Sequence, residues 1–148
     1  MKTVCIKIGG ATVDAAGLLK ELGQGIAKLP AETFPIIVHG GGKDISRFLD
    51  LLNKEFTFIE GMRVTDAEMV AIVQMVLSGD VNKRIVNALL KEKVTAIGIS
   101  GVDGNLFEAS KMLMRGQDIG FVGKIDKVTP AVIDLCRKGG IVPVVSPI

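Results

Sequence analysis

Tryptophan and tyrosine are absent from this chain of 148 residues, histidine occurs once and cysteine twice. Neither Trp nor Tyr is available for bases to stack on, and 18 basic against 16 acidic side chains leave a net charge of only +2 with no basic stripe. Nucleic acid is therefore not an expected partner. Cys5 and Cys136 stand far apart in apolar surroundings without metal-ligand spacing, so two buried free thiols are expected and no metal centre. No apolar run approaches the roughly 18 residues of a membrane helix, and no secretory leader pattern is present. The expected setting is cytoplasmic, with no membrane partner.

Short apolar segments are what the sequence has in quantity: 48% of residues are hydrophobic and the mean hydropathy is +0.44. A chain of this length fits one compact domain that buries roughly 70% of its unfolded surface. Segments 4–8, 35–39, 94–100 and 141–146 are nearly continuous in apolar residues, as parallel strands covered on both faces require. Helical spacing separates them, over 14–29 with Leu18, Leu19, Leu22 and Ile26, and over 42–54 with Ile45, Phe48, Leu49 and Leu52. A third helix is expected to start at a capping box of Thr65 and Glu68, burying Met69, Ile72, Val73 and Val76. After Gly79 a further pattern places Val81, Ile85, Ala88 and Leu89 on one face, and Thr129-Pro130 predicts a capped last helix closed by Gly139-Gly140. Glycine-punctuated stretches around 106–113 and 121–128 predict a β-hairpin, and 56–64 a smaller one. The sum is a three-layer α/β/α sandwich with a mainly parallel central sheet and small β-hairpins.

Two glycine clusters fall where an apolar strand runs out, Gly9-Gly10 after Lys7-Ile8 and Gly40-Gly41-Gly42 after Val38-His39. Glycine lets backbone N–H groups approach a ligand closely, and parallel neighbouring strands would open both turns onto one edge of the sheet, where α/β sheets bind ligands. The second turn leads directly into a helix, whose positive end favours an anion. Neither glycine cluster fits the P-loop or dinucleotide fingerprint. Lys7, inside an apolar strand, is explained either by a phosphoryl partner or by an edge strand that lets it reach solvent. Arg63, after Gly61-Met62, is either a bidentate partner for a carboxylate or a solvated loop residue. His39 is read as fixing backbone through a ring N–H, and Asp103 as a turn former or a ligand.

Taken in order, Lys7-Ile8-Gly9-Gly10, Val38-His39-Gly40-Gly41-Gly42, Gly61-Met62-Arg63-Val64-Thr65, Asn82-Lys83, the stretch Gly98-Ile99-Ser100-Gly101-Val102-Asp103-Gly104 and the closing Pro143-Val144-Val145-Ser146-Pro147-Ile148 resemble the amino-acid kinase family. Within it the resemblance is to the kinases of N-acetylglutamate, and it covers essentially the whole chain. It implies transfer of the γ-phosphoryl of ATP, with magnesium, to the side-chain carboxylate of N-acetyl-L-glutamate, in arginine biosynthesis. It implies Lys7 as the catalytic cation, Gly9, Gly10 and Gly42 as phosphate-binding amides, and Gly41, Gly42 and Arg63 as substrate-binding residues. Family members continue into an ATP-binding half, so residues 1–148 are expected to be the N-terminal, acyl-amino-acid half, binding substrate without full turnover; a homodimer is also implied. An acetylaminoadipate kinase or a non-catalytic binding or dimerisation module of the same fold is the alternative.

Overall fold

A computed structural model describes residues 2–9 and 16–148. The elements run β1 (Lys2–Ile8), α1 (Ala16–Ala27), β2 (Thr33–His39), α2 (Gly42–Leu51), β3 (Phe58–Ile59), β4 (Met62–Arg63), α3 (Ala67–Gln74), a π-helical segment (Met75–Val81), α4 (Asn82–Lys91), β5 (Ala96–Ser100), a short 3₁₀ turn (Asp103–Asn105), β6 (Phe107–Met114), β7 (Gln117–Val128), α5 (Ala131–Lys138) and β8 (Val142–Ser146). The start expected for the first helix, at Asp14, and the phosphate-binding Gly10 lie outside the described residues.

Four strands form a parallel sheet in the order β1-β2-β8-β5. Apolar residues on both faces make this possible. Ile8, Ile37 and Val144 point into a core shared with Leu49, Ile85 and Leu89 of α2 and α4, while Phe34, Ile99 and Val145 pack on Ile133 and Cys136 of α5. The molecule is thus an α/β/α sandwich with one heavy helical layer and one thin one. β3 with β4, and β6 with β7, form the two antiparallel hairpins. The seam between β2 and β8 is short: Ile37 pairs with Val144 and Val38 with Val145. Pro35 and Pro143 stand just before that pairing begins, where neither can donate a ladder hydrogen bond.

Four local expectations are corrected. Cys5 is exposed while Cys136 is buried, because β1 is an edge strand and Cys5 and Lys7 alternate onto the thinly covered face, where α5 packs on the inner strands. The cap of α3 is Asp66, whose carboxylate accepts from the Met69 N–H at 2.8 Å. Thr65 is committed elsewhere, its backbone bridged to Ile119 and Phe121 and its hydroxyl donating to the Arg63 carbonyl. At α5, Thr129 is likewise drawn away, its N–H donating to the Leu106 carbonyl, and Pro130 holds the cap position without a side-chain cap bond. Finally, Gly79 does not separate two helices. It sits within the π segment, through which α3 passes into α4 with right-handed helical dihedrals at both junctions.

Candidate active site

Gly9 and the second glycine turn lie side by side. β1 and β2 pair in register from Lys2 with Thr33 to Ile8 with His39, and the Gly40 N–H donates to the Ile8 carbonyl at 3.0 Å. Gly9 and the Gly40–Gly42 turn therefore share the carboxyl rim of the sheet. Gly41 is extended (φ 177°), so its need for glycine is one of space: a Cβ there would stand 2.5 Å from a Leu77 methyl and 3.2 Å from Val81. The π segment presses against the turn at this point. Gly9 and Gly42 are different, since a Cβ on either meets nothing within 4 Å. Gly42 is the first residue of α2, and the opening amides of a helix have no acceptor within it.

Asp44 in the same helical turn is buried, at 1% exposure. Left alone its carboxylate would repel an anion at the turn. It is bonded by Arg84, with Arg47 at 3.7 Å, and both arginines also reach Asp80, at 3.2 and 3.9 Å. Two cations thus offset two carboxylates, and the positive helix end keeps its sign.

Arg63 is held on the facing hairpin. Its guanidinium lies over the rings of Phe56 and Phe58, 4.1 and 4.7 Å from their centroids, and donates to the Ser46 hydroxyl at 2.8 Å. Ser46 in turn donates to the Gly42 carbonyl at 3.1 Å, tying the hairpin to the turn. Burial lowers the Arg63 pKa and the Asp50 carboxylate opposes that shift; an arginine remains cationic at neutral pH regardless. Its Nη1 is buried without a hydrogen-bond partner. Between α2 and the hairpin lies a cavity of about 830 Å³ whose lining includes Gly42, Ser46, Phe58, Met62 and Arg63.

The structure thus brings Gly42 and Arg63 together in one cavity. Lys7 and Gly9 stand at the same rim but do not line it. Lys7 is exposed and, opposite Val38 in register, it faces the α5 side. Asp103 is a turn former, accepting from the Ser100 N–H and hydroxyl at 2.6 and 2.8 Å.

Behind the turn sits a polar cluster in which His39 fixes backbone through its ring, as expected, and whose link to Asn82 the sequence reading did not foresee. His39 is 3% exposed and Asn82 is 1% exposed. His39 Nδ1 contacts the Gly40 carbonyl at 3.0 Å, and the Asn82 amide nitrogen lies 3.1 Å from His39 Nε2 and 2.9 Å from the Val144 carbonyl. Lys83 Nζ donates to Asn82 Oδ1 at 3.0 Å and to the Gly98 carbonyl at 3.2 Å. Burial lowers the His39 pKa below 6.5, with Lys83 adding to it and Gly40 and Asp44 opposing. One signal was available: Asn82 occupies a core position of its helix, in line with Ile85 and Leu89. Ser46 and the Asp44–Arg84 pair gave no comparable sign.

A family model described as the amino acid kinase family matches residues 2–148. Among curated proteins the chain is similar to an acetylglutamate kinase of Halothermothrix orenii, 39% identical over 150 residues that cover 99% of this chain and 52% of that protein. It is also similar to an acetylglutamate kinase of Caldanaerobacter subterraneus, 43% identical over 148 residues, or 99% of this chain and 49% of that protein. The chain therefore spans about half the length of these relatives. Among solved structures, N-acetylglutamate synthase from Neisseria gonorrhoeae, complexed with coenzyme A and N-acetyl-glutamate, shares the fold with a TM-score of 0.77 at 23% identity, over 97% of this chain and 33% of that one. Isopentenyl phosphate kinase shares it with a TM-score of 0.59 at 18% identity, over 97% of this chain and 55% of that one.

Proposed function

The chain belongs to the amino acid kinase family, and from that membership we propose that it is the N-terminal, acyl-amino-acid half of an enzyme that phosphorylates the side-chain carboxylate of N-acetyl-L-glutamate with ATP, in arginine biosynthesis. The observation that carries this reading is the cavity with a caged guanidinium on one wall and the amide end of α2 on the other. A dicarboxylate fits that polarity. Arg63 takes the α-carboxylate through its planar fork, and the reacting carboxylate lies toward Gly41 and Gly42. A carboxylate oxygen attacks the γ-phosphorus, the bond from that phosphorus to its bridging oxygen breaks, and ADP leaves. Charge on the migrating group is met by Lys7 and by the amides of Gly9, Gly10 and Gly42, which position and stabilise it without a covalent intermediate.

Among the described residues no group of three or more His, Cys, Asp or Glu side chains is placed to hold a metal ion. Magnesium in this reading is held by the nucleotide phosphates. On the same reading the ATP-binding half is the part of the relatives that this chain, spanning about half their length, does not cover, and two copies associate as a homodimer in the cytoplasm. Acetylaminoadipate differs from acetylglutamate only by one side-chain methylene, a difference worth about 1–3 kcal/mol of selectivity.

Titration calorimetry of the chain with N-acetyl-L-glutamate tests the reading. Binding is expected, with the Kd raised at least about tenfold in Arg63→Ala, the loss of one charged hydrogen-bonding pair. Equal affinity of wild type and variant would remove Arg63 from the site. Lys7→Ala in a version that carries both halves is expected to lower kcat by about 10²–10³ with little change in substrate affinity, the usual scale for one transition-state donor.

A further inference from the structure

We propose that Asn82 and His39 form a positioning relay that sets the peptide plane of Gly40–Gly41, and through it the direction in which the glycine turn presents its amides. This rests on the reading of that turn as part of the substrate site. A carbonyl cannot donate, so the atom 3.0 Å from the Gly40 oxygen is a protonated Nδ1. The Asn82 atom 2.9 Å from the Val144 oxygen is its NH₂ group by the same rule. Lys83, which can only donate, fixes Asn82 Oδ1 on the other side at 3.0 Å. The amide cannot flip without setting oxygen against oxygen at Val144.

With the amide fixed, its nitrogen donates to His39 Nε2, which must be bare. The proton of a neutral ring then resides on Nδ1, where it is spent on Gly40. In a trans peptide the N–H of the next residue points opposite to the carbonyl. Holding the Gly40 carbonyl toward the ring therefore turns the Gly41 N–H the other way. β8 supplies the anchor, α4 the arm, and β2 the ring that acts on the turn. The charged groups facing His39 are Asp44 from α2 and Lys83 from α4, one of each sign. Gly98 on β5 completes the arrangement, since a side chain there would overlap Asn82 Oδ1 and Lys83 Nζ.

The chain has a single histidine, so its imidazole nitrogens are read without assignment in a long-range ¹H–¹⁵N spectrum. At pH 7.5 the wild type is expected as the neutral Nδ1–H tautomer; an Nε2–H ring or a tautomer mixture would overturn the relay. Asn82→Asp replaces donor by acceptor and is expected to draw a second proton onto the ring; an unchanged ring would show that Asn82 does not set it. His39→Phe removes the Nδ1 donor, whereas His39→Asn keeps a donor at that place. The Phe variant is expected to shift the Gly41 and Gly42 amide signals and to weaken N-acetyl-L-glutamate binding about tenfold, the worth of one hydrogen bond, and the Asn variant to restore both within about twofold. Unmoved turn amides in the Phe variant would refute the relay. Should the folded wild type not bind N-acetyl-L-glutamate, the functional reading fails while the amide shifts still decide the relay.

Discussion

Single residues differ in how openly the sequence declared them. Arg63 and Gly42 were legible as candidates because of their types and their places beside turns, and the structure brings both to one cavity. Lys7 was legible as a residue out of keeping with its strand, although its side chain faces the α5 layer. Asn82 was legible only as a motif residue at a core position of its helix, in line with Ile85 and Leu89; its burial and its bond to His39 were not. The same burial makes Gly98 intolerant. Gly98→Ala sets a methyl against Asn82 Oδ1, and is expected to lower stability by about 1–3 kcal/mol as overpacking does, read as a lower denaturant midpoint with unchanged slope; an unchanged midpoint would mean the cluster yields.

His39 gives the pH dependence of stability its sign. Its folded pKa lies below the ordinary 6.5, chiefly through burial, so between those two values the unfolded chain binds the proton and the folded one does not. Stability from this group is complete above pH 6.5 and is lost as pH falls below it. Urea melts at pH 7.5 and 5.5 are expected to show the loss, and His39→Asn to flatten it. A variant with the same slope would shift the blame to carboxylates.

At the scale of elements, strand and helix existence followed from apolar runs and helical spacing, whereas their ends were decided by partners distant in sequence. Thr65 and Thr129 both carry cap chemistry, yet each is claimed by hairpin pairing, and the cap falls one residue later. No local pattern contains that competition. Asp66→Ala is expected to cost about 1 kcal/mol, as N-cap losses do, while Glu68→Ala changes stability by no more than about 0.5 kcal/mol because its partner is the surface residue Lys54. Thermal melts of the two variants check this, and a larger loss from Glu68 would restore the capping box. The π segment was equally illegible. Its wider turn presses Leu77 and Val81 against Gly41, a fit that the heavy helical layer and the glycine turn achieve together.

For the molecule as a whole, the alternation of strands and helices was enough to place both glycine turns on one rim, and the parallel sheet carries them there. What the pattern could not show is the asymmetry of the layers. One helical layer is thick and the other consists of α5 alone beside an edge strand, which leaves Cys5 and Lys7 exposed.

Pro35 and Pro143 leave the β2–β8 seam laced only toward the turns. Each ring removes the proton that a neighbour would have gripped, so the two middle strands are left unlaced, like an open collar, at the end remote from the cavity. The knot stays tied beside the glycine turn, under His39 and Asn82.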